Sequence, residues 1–313
     1  MASHALLSLA LRPTTETDRE RLARGVATLL AEDPAMSTET DPISGEVVIA
    51  GIGEMHLEII IDRLKREFEV SATVGRPQVA YKETLTLAAD GEGRYARHNL
   101  YAHVKVHLYP GESGSGYVFQ NEIIGGTIPQ AFIKPIDEGV QQALAIGVLA
   151  GYPVADVRVV LYGGSYHDTE SSEVAFRIAG SLAVDDAARK AAPVLLEPVM
   201  RVEVIAPPET TTDVMGNLSS RRAQIQSCEN RGGMHWIDAR VPLAEMFGYA
   251  TDLRARTHGR GTFTMQLSGY QPANPPENDT EDSMVGAPRK PTSPLRALGI
   301  ALPEPIEDDP QPT

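Results

Sequence analysis

The sequence has little of what secreted and membrane-spanning proteins contain. Cys228 is its only cysteine in 313 residues, so the chain cannot form an internal disulfide or a metal site built from cysteines. It has no apolar run of about 18 residues or more, the length that a transmembrane helix needs. The first residues lack the basic segment of a signal peptide. These absences predict a cytoplasmic location.

A phosphate-binding loop is also missing. No stretch matches GxxxxGKS or GxxxxGKT, and the chain contains no Gly-Lys pair at all. Such a loop supplies backbone N–H groups and a lysine for the phosphates and a hydroxyl for magnesium. The glycine-rich stretch Gly111–Tyr117 has no lysine and is typical of a flexible turn. We therefore expect no nucleotide site, no other cofactor and no enzymatic activity from this chain.

The chain is acidic, with a formal net charge of -14 and a pI near 5.0. This charge argues against a DNA-coating protein and against binding to a membrane surface. A local basic patch can still bind RNA, because arginine holds phosphates through its planar fork. The alternative interpretation is a solvated face with internal ion pairs. The arginines in question are Arg221, Arg222, Arg231, Arg240, Arg254, Arg256 and Arg260.

Hydrophobic periodicity predicts an α+β protein with two similar outer parts. Residues 1–87 and 200–270 each follow the order βαββαβ, which indicates two ferredoxin-like domains. Residues 88–199 form a different α+β unit between them, and scattered prolines with excess acid predict a disordered tail over 271–313. Leu295–Leu302 is the one apolar stretch of that tail; we expect it to be solvated, with docking on a partner as the alternative.

Two helices carry specific expectations. The helix that opens at Gly53 should bury a wide apolar face, and Leu243–Arg256 should form one continuous helix. The face expected for the first helix comprises Met55, Leu57, Ile60, Ile61, Leu64 and Phe68.

The stretch Gly163–Ser181, GGSYHDTESSEVAFRIAGS, joins a polar turn to an amphipathic helix. Ser171 or Ser172 can cap the helix, because a hydroxyl accepts from the free N–H groups of the first turn. Val174, Ile178 and Leu182 recur at helical spacing and should face the core. The turn, which comprises His167, Asp168, Thr169, Glu170, Ser171 and Ser172, is either an ordinary strand-to-helix loop or a recognition surface held by buried elements.

Catalysis and metal binding are weakly indicated. His167 and Asp168 could be an acid–base pair with Ser171 or Ser172 as nucleophile, but neighbours in one loop rarely form a triad. The histidines of the predicted hairpin, His98, His103 and His107, lack a carboxylate or cysteine to complete a metal site. We therefore assign no catalytic residue and no metal ligand.

Three long stretches resemble translational elongation factor G. GSYHDTESSEVAFRIAGS is similar to the signature of its fourth domain. GEVVIAGIGEMHLEIIIDRLKREF and VGRPQVAYKET, within Asp41–Thr84, resemble its third domain, and VPLAEMFGYATDLRARTHGRGT, Val241–Thr262, resembles its fifth. The resemblance follows the family's order and covers roughly residues 5–270, far more than one short motif. It implies a middle domain with a fold shared with a small-subunit ribosomal protein.

The resemblance also implies partners. The family's GTPase lies in its first domain, so a chain like this one would be the ribosome-facing part, with the GTPase supplied in a longer product or by a separate chain. The turn at residues 167–172 would reach the small-subunit decoding centre, near transfer RNA and messenger RNA. Large-subunit RNA near the sarcin–ricin loop would contact Arg254, Arg256, His258 and Arg260. Neither DNA nor a membrane is an expected partner.

One departure from the family pattern concerns the hairpin beside this turn. Arg97-His98-Asn99-Leu100 runs directly into Tyr101, where the family carries a glycine-rich loop of the form GGRGQ. The loop is shorter by about four residues, a change that loop tips tolerate well. This shortening puts normal translocation in doubt.

Two alternatives to an elongation-factor-like protein stay open. A ribosomal protection protein of the tetracycline-resistance type shares these domains, although the intact GSYHD and SSE residues argue against it. A small catalyst built on the middle unit is the other.

Overall fold

The computed structural model describes residues 5–40, 46–75, 77–97 and 100–273. Their sheets are mostly antiparallel with helices beside them, so the predicted α+β class is confirmed. They divide into two compact units, one made of the residues up to Ala80 and from Glu197 onward, the other of Tyr81–Leu196. The boundaries 1–87, 88–199 and 200–270 stay a prediction. The predicted tail, with Leu295–Leu302, lies outside the described residues from position 274 onward.

The residues up to Ala80 form the predicted βαββαβ order. Thr15 caps α1, since its hydroxyl accepts from the N–H of Asp18 at 3.1 Å. The sheet order is β2-β3-β1-β4, with β5 beside β1. The elements are β1 (Leu7–Pro13), α1 (Glu16–Glu32), β2 (Ser37–Thr40), β3 (Val47–Gly51), α2 (Glu54–Glu67), β4 (Ala72–Val74) and β5 (Gln78–Val79).

The expected buried face of α2 is partly wrong. Leu57, Ile60 and Leu64 are buried, at the spacing i, i+3 and i+7 that places them on one side of a helix. Met55 is 58% exposed, because it lies about 200° around the helix from Leu57. The apolar run of this helix therefore continues beyond the face that the core covers.

The Tyr81–Leu196 unit is built on a sheet of order β7-β8-β10-β9, in which β9 runs parallel to β10 and the other neighbours are antiparallel. Strand β8 alternates fully buried residues, Ala102 to Leu108, with half-buried polar and aromatic ones. The elements are β6 (Lys82–Leu85), β7 (Ala89–Arg97), β8 (Leu100–Pro110), β9 (Tyr117–Asn121), α3 (Ile133–Ile146), β10 (Val157–Ser165), α4 (Glu173–Lys190) and β11 (Pro193–Ala206), whose first residues pair with β6.

Helix α4 packs through small side chains. Ala175, Ala179, Ala183 and Ala187 follow one another at intervals of four and have no exposed surface, so they form one stripe. The expected face of Val174, Ile178 and Leu182 is wrong in part. Ile178 is buried, but Val174 is 54% exposed and Leu182 is half-buried.

The reason is the close approach of strand β7. A Cβ added to Gly93 would lie 1.9 Å from the carbonyl oxygen of Ala179, and one added to Gly91 would lie 2.0 Å from that of Ala183. On its other side, a Cβ at Gly139 of α3 would lie 2.0 Å from the carbonyl oxygen of Arg177. The backbones of β7 and α3 therefore approach the backbone of α4 closely, and the helix presents alanines to β7.

The residues from Glu197 onward repeat the βαββαβ order, and the sheet order is β12-β13-β11-β14. The single helix expected over Leu243–Arg256 is wrong. Gly248 adopts a left-handed conformation, φ 70°, between a 3-10 turn (Leu243–Met246) and α6, which breaks the helical path. The elements after β11 are α5 (Thr211–Ser220), β12 (Gln224–Arg231), β13 (Met234–Pro242), α6 (Tyr249–Thr257) and β14 (Thr262–Pro272).

None of the helices in the described part of the chain has both the length and the apolar character needed to cross a bilayer.

Candidate functional site

The turn between β10 and α4, residues 167–172, is fixed to strand β8 by its backbone. The N–H of Tyr101 donates to the carbonyl of Glu170 at 2.8 Å, and the hydroxyl of Ser171 donates to the carbonyl of Tyr101 at 2.7 Å. Both backbone groups of one strand residue are therefore used to hold the turn. The position of the turn is set by the sheet.

The two serines have different roles. Ser172 caps α4, because its hydroxyl accepts from the N–H of Ala175 at 3.2 Å. Ser171 instead closes the turn: its N–H donates to the carbonyl of His167 at 3.0 Å, and its hydroxyl accepts from the N–H of His167 at 2.9 Å. The sequence allowed either serine as the cap, and the structure assigns that role to Ser172.

The middle of the turn is open to solvent. His167, Asp168 and Thr169 are exposed, and Glu170 is half-buried. The hydroxyl of Thr169 lies 3.2 Å from Nδ1 of His167, which orients the imidazole. This arrangement presents a ring, a carboxylate and a hydroxyl on a rigid support, and such groups can stack on a base or bond to RNA.

The end of the β7–β8 hairpin lies beside this turn. Arg97 pairs with Leu100 in the strand register, and the next residue is the anchor Tyr101. His98 and Asn99 lie outside the described residues, so the shortening of this hairpin stays a prediction. Sequence reasoning assigned no role to Tyr101, because a tyrosine at a strand end gives no signal of a long-range backbone bond.

A third loop, which sequence reasoning did not single out, adjoins β10. It begins where the N–H of Glu122 donates to the carbonyl of Leu161 at 2.8 Å, and Ile128 packs near Gly164 on its return. Between these points Ile124 is 87% exposed. The adjacent glycines, Gly125 and Gly126, were the available signal, and both have positive φ.

Glu83 holds another loop of the same unit. Its buried carboxylate accepts from the backbone N–H groups of Val148, Leu149, Ala150 and Tyr152, at 2.7, 2.9, 2.7 and 3.1 Å. The loop that follows α3 is therefore wrapped around one side chain. This acid is structural, and only the fold reveals it, since its partners lie more than sixty residues away along the chain.

The hairpin histidines lie on the outer face of the sheet. His103 is 2.6 Å from Glu92, and His107 pairs with Asp90 and stacks on Tyr162 with the rings 3.9 Å apart. His98 lies outside the described residues. Over the residues that the structure describes, no group of three or more His, Cys, Asp and Glu could hold a metal ion.

Some of the arginines after Met200 are structural. Arg222 forms two bonds to the buried carboxylate of Glu197, at 2.9 and 3.1 Å, and one to Glu245 at 2.9 Å. Arg221 donates to Asp252 at 2.7 Å and to backbone carbonyls before α6. The hydrogen bond from Arg221 lowers the pKa of Asp252. For these two arginines, internal ion pairing is the correct interpretation.

The four residues assigned to large-subunit RNA lie at the end of α6 and just beyond it, and all are exposed. Arg254 and Arg256 lie in the last turn, where positive charge favours the helix, but they leave the helix about 200° apart. His258 is the left-handed cap residue, φ 52°. Arg260 pairs with Glu209 at 2.8 Å.

The turn after α6 is rigid. The hydroxyl of the buried Thr257 donates to the carbonyl of Leu253 at 2.7 Å and accepts from the N–H of Gly261 at 2.8 Å. The N–H of Gly259 returns to the carbonyl of Arg254 at 2.8 Å. These bonds fix the backbone between Thr257 and Gly261, so the basic side chains start from defined positions.

Three family models match the chain in succession. They are elongation factor G, domain III, over residues 2–76; elongation factor G, domain IV, over 77–192; and elongation factor G C-terminus, over 194–281. The chain belongs to the elongation factor G family. It carries domains III and IV and the C-terminal domain, so the predicted membership is confirmed.

A solved structure agrees with this membership. The chain is similar to the crystal structure of ttk003000868 from Thermus thermophilus, with 38% identity and a TM-score of 0.69. The match covers 88% of this chain and 42% of that one. The chain thus spans less than half the length of the protein it matches.

Proposed function

We propose that the chain binds the ribosome at the site used by translation factors. The turn at residues 167–172 then contacts decoding-centre RNA, transfer RNA and messenger RNA. The succession of domains III, IV and C-terminal along one chain carries this proposal. The exposed His167, Asp168 and Thr169 on their fixed backbone support it. The protein acts in the cytoplasm.

Large-subunit RNA near the sarcin–ricin loop is the second proposed contact, through Arg254, Arg256, His258 and Arg260. We expect sedimentation with ribosomes at low salt and release as salt rises, because phosphate contacts exchange with counterions. Replacing Arg254, Arg256 and Arg260 together by Glu should weaken binding without unfolding the protein, although the loss of positive charge in the last turn of α6 lowers the melting temperature slightly. The matched control replaces three other exposed arginines by Glu, namely Arg12, Arg19 and Arg66. Equal losses in the two triple variants would contradict the assignment.

The contact at the tip has its own test. His167→Ala should alter chemical-probing protection of decoding-centre RNA while leaving ribosome affinity nearly unchanged. The exposed side chain makes this replacement cost less than about 0.5 kcal/mol of stability. Decoding-centre RNA that stays unprotected by the wild-type chain would show that the turn does not reach it.

We infer that any GTPase function is supplied by another part of a longer product or by a separate chain, because the sequence contains no phosphate-binding loop. A titration with a fluorescent GTP analogue and magnesium checks this inference. Saturable micromolar binding would overturn it.

A further inference from the structure

The four basic residues at the end of α6 are not equally available. Arg260 Nη1 lies 2.8 Å from Glu209 Oε1, and the two side chains are 53% and 58% exposed. Within the described residues, Arg254 and Arg256 form no ion pair of this kind. A carboxylate of the protein itself, that of Glu209, therefore already pairs with one of the three arginines, Arg260.

The backbone on both sides of this pair is fixed. Glu209 lies in the 3-10 turn Pro208–Thr210, which Thr210 closes through its N–H to the carbonyl of Pro207 at 3.0 Å. Arg260 follows the turn that Thr257 holds. The hydrogen bond from its own backbone N–H and the bond from Arg260 both lower the pKa of Glu209, so the acid is charged at neutral pH.

The pair is weak enough to exchange. Ion pairs between half-exposed side chains gain little over their separate hydration. An RNA phosphate offers arginine the same two-oxygen geometry as a carboxylate. A phosphate that arrives beside Arg254 or Arg256 can therefore replace the carboxylate, whereas a lone anion in solution competes poorly with a tethered one.

We propose that Glu209 is a competing anion that holds Arg260 until an RNA phosphate displaces it. The proposal rests on the function proposed above and adds a residue that limits binding there. Arg254 or Arg256, which leave α6 about 200° apart, makes the first contact, and Arg260 joins only where a phosphate lies within its reach. Glu209 thus weakens binding to RNA in general and favours RNA with the right phosphate spacing.

The test is a double-mutant cycle on the full chain, with E209Q, R260Q and the combined variant. Two probes are used, intact ribosomes and a short RNA hairpin followed by fluorescence anisotropy. E209Q should tighten hairpin binding about two- to fivefold, the range that corresponds to an exposed ion pair. In the R260Q background the same change should have no more effect than the control E229Q. Glu229 is a matched carboxylate, since it pairs with Arg231 at 2.6 Å and is 54% exposed.

The outcomes separate the two proposals. An equal gain in hairpin affinity from E209Q in the wild-type and R260Q backgrounds would show that Glu209 merely repels RNA. The proposal would also be refuted if E209Q gave no gain, or if the hairpin bound neither the wild type nor E209Q. If ribosomes do not bind but E209Q tightens hairpin binding only when Arg260 is present, the proposed role of Glu209 is supported and the proposed ribosomal function is contradicted. Melting temperatures of all variants should stay alike, because both side chains are half-exposed.

Discussion

Replacing Glu83 should unfold the Tyr81–Leu196 unit more readily than any surface change. Its carboxylate accepts from four backbone N–H groups, two of them on the buried residues Val148 and Ala150. In Glu83→Gln one oxygen becomes an NH2 group, which cannot accept. Either orientation of the amide then leaves one buried N–H and one partly exposed N–H without a partner.

The expected cost follows from these groups. An unsatisfied buried donor costs about 1–3 kcal/mol, and the relief of burying a charge offsets part of that. We therefore expect Glu83→Gln to cost about 2–4 kcal/mol. Glu83→Ala, which strands all four donors and opens a cavity, should cost more than about 4 kcal/mol, a value rare for single substitutions.

Amide hydrogen exchange is the suitable assay. The only tryptophan, Trp236, lies in the other unit, so its fluorescence does not report on this one. Exchange at Val148 and Ala150 should accelerate in Glu83→Gln, and the exposed control Glu112→Gln should leave it unchanged. A loss below about 1 kcal/mol, far less than a stranded buried donor costs, would refute the reasoning, as would unchanged exchange at both amides.

Three further predictions concern packing and pH. Gly93→Ala should lower the melting temperature sharply, because its Cβ would lie 1.9 Å from a helix carbonyl oxygen. In the control Gly163→Ala, in the same unit, the added Cβ meets nothing closer than 3.9 Å. Equal melting temperatures for the two variants would contradict this prediction. Ile178→Ala should cost about 2–5 kcal/mol in urea unfolding, but the exposed Val174→Ala should cost less than about 0.5 kcal/mol. The Thr15 hydroxyl and the Ser71 N–H lower the pKa of Asp18 below 3.8. That contribution is present above the unfolded pKa and is lost as pH falls through the folded one, so Asp18→Asn should flatten the acid limb of the stability profile, and an unchanged limb would refute it.

Local patterns predicted the elements well where a helix or strand has one buried side. The apolar spacing of Leu57, Ile60 and Leu64 predicted the core face of α2, and the serines before α4 predicted its cap. These features depend on neighbours along the chain. They therefore appear in the sequence itself.

The errors arose where a distant backbone decides the packing. The apolar residue Val174 is exposed because Gly91 and Gly93 bring β7 against the alanines of α4. Likewise, Glu83 and Tyr101 act through partners far away in the chain. Periodicity reports which residues are apolar, and it contains no information on such contacts.

The alanine stripe of α4 has a consequence for how force passes through the Tyr81–Leu196 unit. The helix has 18 residues and extends about 27 Å from the turn at residues 167–172. Alanine and glycine have no rotamers to change, so a load on the turn meets backbone rather than adjustable side chains. We expect α4 to move as a rigid element, so that a small displacement of the turn is transmitted to the far end of the helix.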